Sequence, residues 1–377
     1  MQKLFKFKSF ILVVFVVVCT FLGRTISTFS ISERNIVLMI GIDYTGTDYA
    51  VTTQVVSPSS GQGAESASSD NFATITTKAP TVAQALEDIG GKIGRTLSLA
   101  HCNIIVLSKN ALLSNPDSYL NNLITSWLLP INAVIVAVDD KPENVMKLKV
   151  PSSENIAFYL QTLMLTEKKS LLTKTHINTF LTDFASKSKT TTLPICVPTE
   201  IDDESVLSSQ SGTGKYATID LKTNFAVSKD GTVMLLDEKT TQITNLLKTK
   251  IKEAYLNIQY DDYNVEYQIV KSDTKMKYEN NSVTAKFKAE IALVEIENKT
   301  FSEFLLSKEF KDKFMSELKK DLTEKMNDVF ELSKTTKSDF LMLRNLAWQS
   351  KGLNYNPDAF WENLTFNPQI ELSLVKS

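Results

Sequence analysis

The chain is poor in the residues from which most catalytic and metal centres are built. Its 377 residues include two histidines, His101 and His176, and three cysteines, Cys19, Cys102 and Cys196. A zinc site of the usual Cys/His kind would have to be assembled from distant residues, because no CxxC half-site exists. With two cysteines outside the amino terminus in a chain this long, a disulfide framework is excluded. Neither sign of charge dominates: 41 Lys plus Arg face 43 Asp plus Glu, for a net charge of −2. That balance leaves no basic footprint for nucleic acid. Hydrophobic residues at 43% and charged residues at 22% describe a globular protein and exclude a largely disordered or polytopic one.

Nucleotide loops and hydrolase signatures are also missing. Gly212-Thr213-Gly214-Lys215 lacks the first glycine of a phosphate loop, and Tyr216 replaces its Ser/Thr, so a flexible linker is the better reading. Gly90-Gly91-x-x-Gly94 has the wrong spacing for a dinucleotide fingerprint and lies in a helical pattern. There is no GxSxG and no HExxH. The carboxylate pairs Asp139-Asp140, Asp202-Asp203 and Asp261-Asp262 are adjacent, so on a strand they would point to opposite sides rather than converge on a substrate. They read as solvated turns. His101 beside Cys102 reads as a structural polar contact, because a Cys–His catalytic pair needs side chains that face each other. No cofactor is expected.

What is present begins with Lys3, Lys6 and Lys8, followed by an uncharged, largely apolar stretch from Ser9 to Gly23. As a helix it would be about 22 Å long, short of the ~30 Å hydrocarbon core, so it fits a secretory signal better than a full span. Three versions remain open. Cys19 is a candidate for lipidation, although Val16-Val17-Val18 precede it where lipoprotein signals carry a small residue. Thr28 and Ser30 have small-x-small spacing for cleavage after Ser30. An uncleaved tilted anchor with Arg24 snorkelling is the third. Each places residues 31–377 outside the cytoplasmic membrane.

Ile36–Ile42 is a continuous apolar run suited to a strand buried on both faces, and a turn at Asp43–Asp48 leads to a second strand, Tyr49–Val56. Ser57–Pro80, rich in Ser, Ala, Gly and Thr, reads as a long loop. Helical patterns at Thr81–Leu99, Pro116–Leu128 and Pro142–Leu148 then alternate with strand patterns at Asn103–Leu107 and Asn132–Val138, which argues for helices packed on a sheet. Helices are expected at Ser153–Leu165 and Thr175–Ser186, and a Ser/Gly-rich linker at Ser205–Gly214. Beyond it, Asn224–Ser228 and Thr232–Leu236 flank the hairpin turn Lys229-Asp230-Gly231, and Ser282–Ile296 alternates with period two. Phe310, Phe314, Leu318, Leu322 and Met326 recur every four residues along a Lys/Glu-rich helix. Asn356-Pro357 suits a short helix start, and Ile370, Leu372 and Leu374 mark a terminal strand. The expected fold is mixed α+β, with sheets flanked by helices in three domains: 31–150, 151–214 and 215–377, behind a signal or anchor at 1–30.

Several segments resemble, in order, the C-subunit family of bacterial spore germination receptors, the Ger(x)C lipoproteins. Glu33-Arg34-Asn35-Ile36 running into Val37–Asp43 is similar to the family's opening strand, which ends in Gly-Ile-Asp. Val55-Val56 with Pro58, then Gly94-Arg95, Leu97, His101 and Ile104–Leu107, are similar to its second strand and its helix–His–strand segment. Phe225–Leu236 resembles the hairpin opening its C-terminal domain, and Lys337–Phe340, Trp361 and Gln369–Val375 its closing segment. The resemblance implies a non-catalytic subunit tethered at the outer face of the spore's inner membrane. It also implies multi-pass A-type and transporter-like B-type partner subunits forming a receptor for nutrient germinants. Such a subunit would act through an apolar and aromatic interface, for which Trp348, Tyr355, Phe360 and Trp361 are the candidates. The rival readings are an exported small-molecule-binding module, favoured by a polar-lined cavity between domains, and, behind it, a secreted hydrolase.

Overall fold

The computed structural model describes residues 14, 15, 17, 34–56, 72–150, 155–165, 172–201, 216–260, 263–297, 308–352 and 359–375. Cys19, Tyr355, Asn356, Asp202-Asp203, Asp261-Asp262 and the Gly212–Lys215 stretch lie outside these residues.

The first sheet is built from apolar runs. β1 (Arg34–Tyr44), β5 (Ile104–Ser108) and β6 (Val134–Val138) lie parallel, and β5 and β6 are buried at every position. A parallel centre must be covered on both faces, which is why these strands read as runs and not as alternation. β2 (Tyr49–Val56) and β3 (Phe72–Ala79) extend the sheet antiparallel on one side, and the short β7 (Thr175–His176) closes the other. The order is β3-β2-β1-β5-β6-β7, with β4 (Thr96–Ser98) pairing the start of β1. Between β3 and β4 runs α1 (Val82–Ile93), capped by the Thr81 side chain on Gln84 N–H. The helical pattern through Leu99 stops early because Gly94 takes φ 69°, a left-handed C-cap, and releases the chain into β4.

Each face of this sheet has its own core. α1, α2 (Lys109–Leu113), α3 (Pro116–Trp127) and α6 (Ile177–Ala185) supply Leu86, Leu112, Leu120 and Phe180 to one, with Ile40, Ile42 and Ile105 from the strands. On the other, α4 (Pro142–Met146) and α5 (Ile156–Leu165) cover Met39, Val106 and Val136. Ile219 of β10 (Tyr216–Asp220), paired with β9 (Val197–Ile201), joins the same layer. Gly41 sits under α4 because nothing larger fits: a Cβ there would lie 2.6 Å from Met146 Sδ and 2.7 Å from Pro142 Cβ.

The second large sheet, β13 (Ala254–Tyr260), β14 (Tyr263–Glu279), β15 (Ser282–Ile296) and β16 (Thr365–Leu374), is antiparallel except for the β15–β16 pair. Along β15, Val283, Ala285, Phe287, Ala289 and Ile291 face in, while Lys286, Lys288 and Glu290 are exposed. A helix of 29 residues, here labelled α8 (Lys308–Thr336) and about 44 Å long, crosses the inner face. Its stripe of Phe314, Leu318, Leu322 and Met326 is buried, with Phe314 against Tyr260 of β13 and Phe330 stacked on Phe366 of β16. Two further helices complete this half: α7 (Glu238–Lys248), capped by Asp237, and α9 (Leu343–Lys351).

A small sheet, β8 (Thr190–Pro194), β11 (Asn224–Ser228) and β12 (Val233–Leu236), stands between the halves. Phe225 and Val227 of β11 belong to the core of the first sheet, whereas Ala226 and Leu236 belong to the core of the second. Period-two alternation along one strand thus gives each half a face.

Candidate functional site: a polar seam beside an aromatic corner

The first group of buried polar residues lies where α6 and β8 meet α7 and α9. Asp339, in the turn between α8 and α9, accepts hydrogen bonds from Leu343 N–H (2.7 Å) and Arg344 N–H (2.8 Å), two of the unpaired donors of a helix start. Ser188, before β8, bonds the same carboxylate and accepts from Asn345 N–H at 3.1 Å. Burial pushes Asp339 up to about 6, with Ser188 and the helix N–H groups opposing that rise. Lys248, at the end of α7, faces both Asp339 and Asp183 of α6; desolvation lowers its pKa and the two carboxylates counter it. Burial raises Asp183, against Lys248 and a 2.8 Å hydrogen bond from Thr191. Close by, Asn224 Nδ2 donates to Thr173 Oγ1 (2.5 Å), which donates to Asn245 Oδ1 (3.1 Å). Groups more than a hundred residues apart are therefore held in a low-dielectric layer, where satisfied hydrogen bonds fix one geometry.

Next to this seam is the aromatic corner. Trp348 on α9 is 42% exposed, with Lys187 Nζ 5.5 Å from its ring centroid. Phe360 and Trp361 are 6% and 7% exposed and pack edge to face at 4.9 Å. Phe360 also stacks on Tyr278 of β14, and the Arg344 guanidinium lies over Trp361 at 5.5 Å. Of the four candidate interface residues, the structure thus brings Trp348 to the surface and places Phe360 and Trp361 in the core of the second sheet; Tyr355 is outside the described residues.

The residues with catalytic potential do not converge. His101 is exposed while Cys102 is buried, its Sγ directed to Ile104 O at 3.5 Å, and burial pushes its thiol up to about 12. Cys196 is pushed up to about 12 by the same cause. His176 Nδ1 is bonded to Asn132 O at 2.6 Å. Asp139 and Asp140 are exposed, and Asp140, bonded by Lys141 N–H and Asn144, is held below the usual carboxylate range. No group of three or more His, Cys, Asp or Glu suited to a metal ion occurs among the described residues. Sequence reasoning missed the seam: Ser188 and Asp339 carry no local signal of their pairing.

A cavity of about 670 Å³ opens between α5, β9–β10, α7 and β13, lined by Leu163, Asp220, Lys222, Glu238, Gln242 and Tyr255 among others. Lys222 lies between Asp220 (3.7 Å) and Glu238 (3.8 Å) at its rim.

Two family matches, one over each half of the chain, define the class. Residues 28–198 match the family described as Spore germination protein N-terminal domain, and residues 223–377 match Spore germination B3/GerAC like, C-terminal. The structure is similar to one titled Crystal Structure of the GerBC protein, at 16% sequence identity and a TM-score of 0.54, over 89% of this chain and 97% of that one. No curated protein matches the sequence. The two matched halves define a spore germination protein. More particularly, the chain belongs to the Ger(x)C family, the C-subunits of germinant receptors. The mixed α+β architecture expected from the sequence is the one found.

Proposed function

We propose that this chain is a membrane-tethered, non-catalytic subunit of a nutrient germinant receptor, working through contacts with A-type and B-type membrane partners at the outer face of the spore's inner membrane. Family membership over both halves carries the reading. The lysines and apolar stretch before Gly23 supply the tether, by lipid on Cys19 or as an anchor; Val14, Phe15 and Val17 are helical with exposed apolar side chains. No helix among the described residues is long and apolar enough to cross a membrane. Partner contact is assigned to the surface around Trp348, the exposed member of the aromatic corner. A contact there acts by binding one conformational state of the partners more tightly than another.

The test is germination together with co-purification. Trp348→Ala should keep the far-ultraviolet circular dichroism of the wild type and lose capture of the A- and B-subunits, by about 2 kcal/mol or more if Trp348 is an interface hot spot. Unchanged capture would remove Trp348 from the interface. Nutrient-triggered germination unaltered by deletion of the gene would overturn the receptor reading itself. The cavity beside Lys222 supports a second reading, a module that binds a small polar molecule. Calorimetric titration of the full chain with germinants that trigger the spore, with Lys222→Ala as control, checks it.

A further inference from the structure

The parallel strands β1, β4, β5 and β6 all begin at one end of the first sheet: Arg34 lies opposite Thr96, Met39 opposite Ile104, and Ile104 opposite Val134. The chain from residues 1–33 enters the fold at this end. The loop before β6 projects Leu128, 73% exposed, and Ile131, 56% exposed, beside the half-buried Trp127. Leu128 ends α3 in a left-handed conformation, φ 55°, with its N–H on Leu123 O. Glycine usually fills such a position because a Cβ is crowded there. The left-handed turn closes α3, with the N–H of Leu129 also on Leu123 O at 3.1 Å, but the exposure of a large apolar side chain at its tip adds nothing to the core. Across the sheet, exposed Phe158 of α5 touches Phe72 at a ring separation of 6.4 Å. Phe72 pairs with Val56, and Val56 with Ile36, which places this contact at the same end.

Charge is distributed unequally between the two ends. Segments 94–103 and 128–133 contain Arg95 and His101 and no carboxylate, and exposed Arg34 stands next to them. The opposite end carries Asp43, Asp48, Asp139, Asp140 and Glu143, with Lys78, Lys109, Lys141 and Lys147 among them. Between the apolar stretch ending at Gly23 and β1 lie the ten residues Arg24–Glu33. Fully extended they reach about 35 Å, so a tethered chain keeps this end near the bilayer.

We infer that the amino end of the first sheet docks on an anionic lipid surface, with Leu128 and Ile131 inserted at the headgroup boundary and Arg34 and Arg95 over lipid phosphates. This rests on the tethered reading above. Projecting apolar tips among basic groups suit a lipid interface, where buried apolar area and attraction to anionic headgroups add.

The test uses the full chain with a genetically encoded benzophenone amino acid at position 128 or 131, and at position 47 on the opposite end as control. The protein is reconstituted with vesicles containing phosphatidylglycerol, or with phosphatidylcholine alone, and irradiated. A lipid adduct, read by mass, is expected at 128 and 131 and absent at 47. Arg34→Gln and Arg95→Gln, each removing one positive charge, should each lower its yield on phosphatidylglycerol vesicles by about fivefold. Retention on vesicles after an alkaline wash, with no lipid adduct at 128 or 131, overturns the docking and leaves the tether standing. Release from the vesicles without adduct overturns both. In native membranes, adducts to a protein in place of lipid would make this end a subunit interface and overturn the lipid assignment.

Discussion

The two large sheets solve burial in opposite ways. β5 and β6 are hidden along their whole length, between helices on both faces, so no position in them is free. β15 is hidden at every second residue over most of its length, with lysine and glutamate facing water from the rest. The first sheet therefore stores its stability in a sandwiched layer, and the second in one long helix lying on one face. A substitution should be felt everywhere along β5 and β6, and on alternate residues along β15.

The largest effects should come from emptying the two cores. Phe287→Ala, on the inner face of β15, should lower the free energy of unfolding by about 3–5 kcal/mol, and Ile135→Ala in β6 by about 2–5 kcal/mol. Urea titration of the full chain measures both. A loss below about 1 kcal/mol for either would mean that its core can collapse around the gap.

Asp339→Asn probes the junction between the halves. Because the folded-state pKa of Asp339 is raised to about 6 from an ordinary 3.8, the folded protein holds this proton more tightly than the unfolded chain. Its contribution is therefore fully present below about pH 4 and is lost as pH rises through 6, by on the order of 3 kcal/mol. Other carboxylates titrate in the same range, so the measurement is the difference between wild type and Asp339→Asn in thermal melts from pH 4 to 7. That difference should change with pH; a constant offset would show that Asp339 does not titrate there.

Gly41→Ala sharpens the contrast from the side of tight packing. Its Cβ would meet Met146 and the Pro142 ring, and overpacking of this kind should cost about 1–3 kcal/mol by denaturant titration. The smallest effect is expected on the open face of the second sheet. Lys288→Ala breaks an exposed pair with Glu371 on β16 and should change stability by less than about 1 kcal/mol. A larger loss would mean that this face is not simply solvated.

The same contrast explains what the sequence disclosed. Ile36–Ile42 announced a strand buried on both faces, Asn103–Leu107 and Asn132–Val138 announced strands alternating with helices, and the four-residue recurrence from Phe310 to Met326 announced α8, because each follows one pattern without interruption. β14 was silent: Lys271, Ser272 and Asp273 interrupt its pattern, and the pairing shifts register at Ile269/Lys271. α7 was obscured by Thr241, Thr244 and Asn245, polar residues that are nonetheless buried. Strand β3 fell inside a segment read as loop, since FATITTKA has few large apolar side chains. At the candidate site, Trp348, Phe360 and Trp361 were legible as aromatics near one another, but spacing alone could not say which of them faces water. Asp339 stood out only through the family resemblance, since the groups that face it, Ser188 before β8 and Lys248 at the end of α7, are distant in sequence.

The strand β11, with one face in each core, also has a bearing on timing. A chain that emerges amino end first exposes Ile40, Ile105 and Ile135 long before Phe225 and Val227 follow. Until the hairpin of β11 and β12 arrives, the first core lacks part of its wall and β8 lacks its neighbour. The amino half must then wait, partly open, for the carboxyl half to begin, and a ribosome or export pore that stalls before residue 228 would hold a sticky intermediate. The last step of closing the first half is at once the first step of building the second.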